Sequence, residues 1–127
     1  MNAEPLLLCV NLAGDKLARL SFLALGLGIR ARPVQKEEWG QPLGAVCGLL
    51  PVVQHAPDIR LPDEMLVMAG FPDGLLDAFL RAYRQSGLAP VRLKAVLTDT
   101  NMRWHFGQLH AQLCQEAAFF AARGSRA

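Results

Sequence analysis

The residues best suited to chemistry crowd into one stretch of this 127-residue chain, Thr98-Asp99-Thr100-Asn101, with Lys94 just before it and Arg103 and Trp104 just after. Hydroxyls and an amide at a helix start sit beside backbone N–H groups that lack an intrahelical acceptor, and such a corner takes an anion or a carboxylate. The same residue types make the best helix caps, so a cap without a ligand is the competing reading. Asp99 favours the cap, because its own charge competes with an anion for those donors. On a helix begun at Asn101, Trp104 falls opposite the Met102, Phe106 and Leu109 stripe, which leaves it for a neighbouring loop, a ligand or an interface.

The other reactive side chains are scattered. His105 and His110 are five apart, His55 is in a proline-rich stretch, and no His-x-x-x-His or Cys-x-x-Cys pair occurs, so neither a metal nor a cofactor is expected. Cys9, Cys47 and Cys114 are odd in number and far apart, which predicts buried thiols and no disulfide framework. The turns at Asn11-Leu12-Ala13-Gly14 and Gly70-Phe71 follow the two most apolar runs but lack the glycine spacing that cradles nucleotide phosphates. Arg30 with Arg32, and Arg92 with Lys94, are basic pairs at strand spacing. With a net charge of +2 and no interleaved aromatics they argue against nucleic acid and read as charges that protect sheet edges.

The elements that must position these residues follow from hydrophobic period. Leu6 to Val10 and Met65 to Ala69 are apolar without alternation, as strands covered on both faces are. Ile29 to Val34 alternates and contains Pro33, which places it on a sheet edge, and Arg92 to Leu97 alternates likewise. Helices are predicted from Asp15 to about Leu27, from Phe71-Pro72-Asp73 to Gly87, and from about Asn101 to Ala122, with a weak short one opening at Pro42. The last has a core stripe of Met102, Phe106, Leu109, Leu113, Ala117 and Phe120, and the tail Arg123 to Ala127 reads as frayed. Phe22 and Leu25 lie off the inward stripe of the first helix, so a second element or a partner chain is expected over its back. Pro51 to Asp63 is a long loop, and loops of that length are functional or mobile.

An offset of 59 lays Leu7 on Leu66, Leu20 on Phe79, Gly28 on Gly87 and Val34 on Leu93 without a gap. The chain thus reads as one domain, 1–127, with halves 6–50 and 65–109, each running strand, helix, strand, helix. The fold expected is α/β, a single four-stranded sheet flanked by helices with the two apolar strands in the middle. A parallel three-layer sheet is slightly favoured over a ferredoxin-like split βαβ arrangement, in which the two central strands run antiparallel and the Pro51 to Asp63 loop carries the chain back. In a parallel sheet Asn11, Gly70, Phe71, Thr98, Asn101 and Trp104 gather at one end, where such folds bind ligands.

The run Leu93 to Asn101 with Trp104, together with Met68-Ala69-Gly70-Phe71 and Gly40-Gln41-Pro42-Leu43-Gly44, resembles a small bacterial family known only as domain of unknown function 3783. Asp99 stands where that resemblance would place a proline between the two threonines. The resemblance implies a bacterial cytoplasmic protein and no particular activity. The apolar run Leu6 to Val10 is too short for a signal sequence or a membrane span, which gives the same expectation. From these residues the chain is expected to be a non-enzymatic binding or interaction module that self-associates as a homo-oligomer. The alternative is a small-molecule or anion-binding domain, with or without catalysis, whose site is at the strand ends.

Overall fold

In the computed structural model, which describes residues 4–124 and side chains as far as Phe119, the first apolar run forms strand β1 (Leu6–Val10). Its side chains alternate between two cores: Leu7 and Cys9 enter one, Leu8 and Val10 the other. Strand β3 (Met65–Ala69) divides in the same way, Leu66 and Met68 from Met65 and Val67, and every one of its residues is buried. Two-sided burial is the physical reason that neither strand alternates in sequence.

Helix α1 (Gly14–Gly26) and helix α3 (Leu75–Gln85) close one face of the sheet, contributing Leu20, Ala24, Phe79 and Tyr83 to that core. The single-turn helix α2 (Leu43–Val46) and the long helix α4 (Phe106–Gly124) close the other, with Leu43, Val46, Phe106, Leu109 and Leu113. Three layers result, with edge strands β2 (Arg30–Pro33) and β4 (Leu93–Val96) outside the central pair in the order β2-β1-β3-β4. Pro33 sits on the edge, as its missing N–H requires. Among the described residues no helix is long and apolar enough to cross a membrane.

The sheet is mixed and not all parallel. β1 pairs parallel with β2 and β3 parallel with β4, but β1 and β3 are antiparallel, with Leu8 opposite Val67. The strand order of the split βαβ arrangement is not formed, since each half keeps its two strands adjacent, but the antiparallel central pair of that alternative is, and it puts Asn11 at the opposite end of the sheet from Gly70 and Thr98. The cause lies in the link between the halves. No helix lies between α2 and β3, and the Asn11 amide at the end of β1 donates to the carbonyls of Leu61 (2.8 Å) and Asp63 (3.0 Å). The chain therefore re-enters the sheet where β1 leaves it, and β3 must run the other way.

Each half runs strand, helix, strand, 3-10 turn, helix. The constant offset of 59 holds from β1 and β3 through Leu20 and Phe79 to the helix-ending Gly28 and Gly87, both at positive φ, and breaks at the edge strands, because β4 begins at Leu93, 63 residues after Arg30. The last helix also starts later than its apolar period suggests. Asn101–Arg103 is a 3-10 turn, Trp104 is extended, and α4 begins at Phe106, so Met102 is not on the α4 stripe. The side chain of Phe120 and the end of the tail, residues 125–127, lie outside the described residues.

Candidate functional site

With β1 and β3 antiparallel, the six residues expected to gather at one strand end do not share a concavity. Thr98, Asn101 and Trp104 line a hollow of about 330 Å³ with Lys94 and Glu116. Asn11 lines a different cleft, and Gly70 and Phe71 border neither. Phe71 instead packs edge-on against Phe79, ring centres 6.0 Å apart, on the α1 and α3 side. The polar atoms of the Thr98 corner are spent internally. Asn101 Oδ1 accepts the Thr98 N–H (2.8 Å), its Nδ2 donates to the Val96 carbonyl (3.0 Å), and Thr98 Oγ1 accepts the Asn101 N–H (3.1 Å). These bonds tie the end of β4 to the following turn, which is the work of a cap. Asn101→Ala removes a buried amide with two side-chain bonds, and urea unfolding is expected to show a loss of about 1–3 kcal/mol.

Trp104 also departs from its helical-wheel position. Being extended and ahead of α4, it packs against the core beside Leu109 while its carbonyl accepts the Leu43 N–H at 2.8 Å. His105 is likewise structural: its Nδ1 accepts the Gln108 N–H (3.2 Å) and its own N–H donates to Gln108 Oε1 (3.0 Å), a reciprocal cap opening α4.

A larger concavity lies at the opposite end of the sheet. It is a cleft of about 680 Å³ whose walls are the 3-10 turn Lys36–Glu38 with Trp39 on one side and residues 58–62 of the long loop on the other, with Asn11 between them. Gly40-Gln41-Pro42-Leu43-Gly44 holds the loop in place. A Cβ on Gly40 would stand 2.0 Å from the Pro57 carbonyl oxygen, so only glycine lets the loop come this close. Gln41 grips the Val53 backbone at both ends, Nε2 donating to its carbonyl (2.8 Å) and Oε1 accepting its N–H (2.7 Å). Pro42 bridges His105, and Leu43 is fully buried. The motif thus joins the loop to the start of α4.

On the other wall, Arg32 makes a two-pronged bond to Glu38, 3.1 Å to Oε1 and 2.7 Å to Oε2, and Gln35 N–H donates to the same carboxylate at 2.9 Å. The hydrogen bond from Arg32 holds the Glu38 carboxyl below its ordinary range, and the same bond raises Arg32. A carboxyl depressed in the folded state stabilises the fold above its unfolded pKa, and the gain is lost as pH falls through the folded value. Acid titrations of unfolding should therefore be shallower below the ordinary carboxylate range in Glu38→Gln than in the parent chain.

Trp39 is almost fully buried, and its indole N–H finds no acceptor among the described residues. Around it stand Lys36, Glu37, Asp58 and Arg60, all exposed and none in a salt bridge among the described residues. The cleft therefore presents an apolar floor ringed by unpaired charges of both signs.

All three cysteines are free. Burial pushes the Cys9 thiol up to about 12 and raises Cys47 too, so Cys9 is an inert core thiol. Cys114 differs. It lies one turn after His110 on α4, and His110 Nε2 donates to Asp63 Oδ2 at 2.8 Å. A search for paired histidines or paired cysteines passes over this His-x-x-x-Cys spacing, and Asp63 is brought to it only by the end of the long loop.

No curated protein and no solved structure matches this chain. Gly40 to Gly44 and every residue lining the large cleft precede the stretch that matches a family model. That stretch, residues 64–120, runs from the residue before β3 to well inside α4 and so takes in β3, α3, β4 and the 3-10 turn at Asn101. Residues 64–120 match the model of the family described as Domain of unknown function (DUF3783).

Proposed function

We propose that this chain is a non-enzymatic binding module whose ligand enters the cleft between Trp39 and the loop 58–62, and that this ligand is a peptide segment bearing charges of both signs. The observation that carries the reading is the buried indole N–H of Trp39 without an acceptor, at a cleft ringed by the unpaired Lys36, Glu37, Asp58 and Arg60. The side chains of such a peptide answer the ring of charge, and a turn of the buried indole toward the cleft would let a peptide carbonyl accept its N–H. The pinning of the loop by Gly40 and Gln41 supports a preformed cleft, which spares a ligand the cost of ordering it. In an isotope-labelled chain titrated with lysine- and glutamate-containing tripeptides, amide and indole resonances should shift at Asn11, Lys36, Trp39 and Arg60. Shifts confined to other surfaces, or none at all, would remove the proposal.

Self-association is the second reading, favoured by Phe22 and Leu25, which are 69% and 73% exposed on the outer face of α1, with Leu23 and Leu88 partly exposed beside them. Its test is the mass in solution of the parent chain against Phe22→Glu. A bacterial source, a cytoplasmic location and descent of the two halves from one duplicated unit belong to the same proposal. The last is supported by the recurring element order, and the first two by the family resemblance.

A further inference from the structure

We infer that Asp63, His110 and Cys114 form a binding site for a zinc-like divalent cation at the end of the long loop. His110 and Cys114 are four apart on α4 and so share a face of the helix. Asp63, the last residue of the loop, reaches the same point from the other side. One oxygen, one nitrogen and one sulfur from these three lie within 4.8 Å of one another, and all three residues are half-buried.

Two chemistries use such a trio, and the distances separate them. A thiol activated through histidine by a carboxylate needs the sulfur on one ring nitrogen and the carboxylate on the other. Here Nε2 faces the carboxylate at 2.8 Å, and the sulfur is nearer that same nitrogen (3.6 Å) than Nδ1 (4.0 Å). A sulfur on the Nδ1 lone pair would have the opposite order. Thiolate, imidazole and carboxylate are instead the donor set of zinc, whose bonds of about 2.0–2.3 Å separate neighbouring ligands by roughly 3.3–3.6 Å. The sulfur-to-nitrogen separation already has that value. The nitrogen-to-oxygen contact has to open by about half an ångström through side-chain rotation, and the Nε2 proton has to pass through solvent to Nδ1, which frees the Nε2 lone pair for the ion. Binding replaces the His110 to Asp63 hydrogen bond with two metal bonds, and the thiol proton leaves to solvent. Three protein ligands leave a fourth position for water, and the ion would fasten the loop to α4 just beyond Pro62, at the edge of the large cleft.

The test is titration of the untagged, chelator-treated full chain with Co(II), followed by displacement with Zn(II). The expected result is one equivalent bound with a thiolate-to-cobalt charge-transfer band in the near ultraviolet. That band should disappear in Cys114→Ser, persist in Cys47→Ser, and need more than about tenfold higher cobalt in His110→Ala. Circular dichroism checks that each variant is folded. A folded parent chain that gives no thiolate band, or a band that survives in Cys114→Ser, overturns the inference. Because the cobalt readout is independent of peptide binding, it stands or falls apart from the proposal for the cleft.

Discussion

Gly40→Ala is expected to lower stability by about 1–3 kcal/mol, the usual cost of forcing an extra carbon into a packed site, and to release the loop from the sheet end. The added Cβ meets a backbone carbonyl, that of Pro57, at 2.0 Å, and no side-chain rotation relieves such a contact. Either the turn that carries Trp39 or the loop must move. Moving the loop breaks both bonds between Gln41 and Val53. Hydrogen exchange at the Val53 amide should therefore rise in the variant, while the amides of β1 and β3, on the paired side of the sheet, keep their protection. Unchanged exchange at Val53 together with unchanged stability would show that the close approach of loop and glycine is wrong.

Phe106→Ala should cost more, about 3–5 kcal/mol, a large share of the 5–15 kcal/mol typical of a domain. The ring is fully buried in the core formed by α2, α4 and one face of the sheet, and its N–H donates to the Trp39 carbonyl at 3.0 Å. Truncation leaves a cavity that the surrounding strands cannot close, since β1 and β3 are fixed by pairing on both sides. The midpoint of urea unfolding should fall with little change in slope. A loss under about 1 kcal/mol would place Phe106 outside the core. Phe79, on the far side of the sheet, belongs to the other cluster, so its truncation should add to that of Phe106 nearly independently.

These two positions also show what could be read from the residues. Phe106 and Phe79 lie on apolar stripes, and the period of each stripe places them inward whatever the topology. The central position of β1 and β3 was legible for the same reason: a run such as Leu66-Val67-Met68 needs cover on both faces. Strand direction was not, because an apolar run reads alike in either sense. Direction here goes with two hydrogen bonds of Asn11 to loop carbonyls 50 and 52 residues away. Gly40 was visible only as part of the Gly40 to Gly44 stretch that carries the family resemblance, whereas its reason, the Pro57 carbonyl, is a contact across 17 residues that no local pattern encodes.

The candidate site divides in the same way. Thr98 and Asn101 were recognised as a corner rich in donors and acceptors, and the competing reading, a cap, is the one their hydrogen bonds support. Asn11 was chosen as a ligand residue and does line the large cleft, yet its amide nitrogen is spent on holding the loop. Trp39 was passed over because it falls in an irregular stretch between an edge strand and a short helix. Its burial depends on the loop folding over it.

The claim most open to direct test is that the cleft of Trp39 is the binding surface. Lys36 and Arg60 are exposed and unpaired, so replacing both with alanine should leave the melting temperature unchanged. Calorimetric titration of the double variant with a tripeptide that binds the parent chain should give an affinity at least about tenfold weaker, or 1.4 kcal/mol. Equal affinity in the two chains would contradict the account.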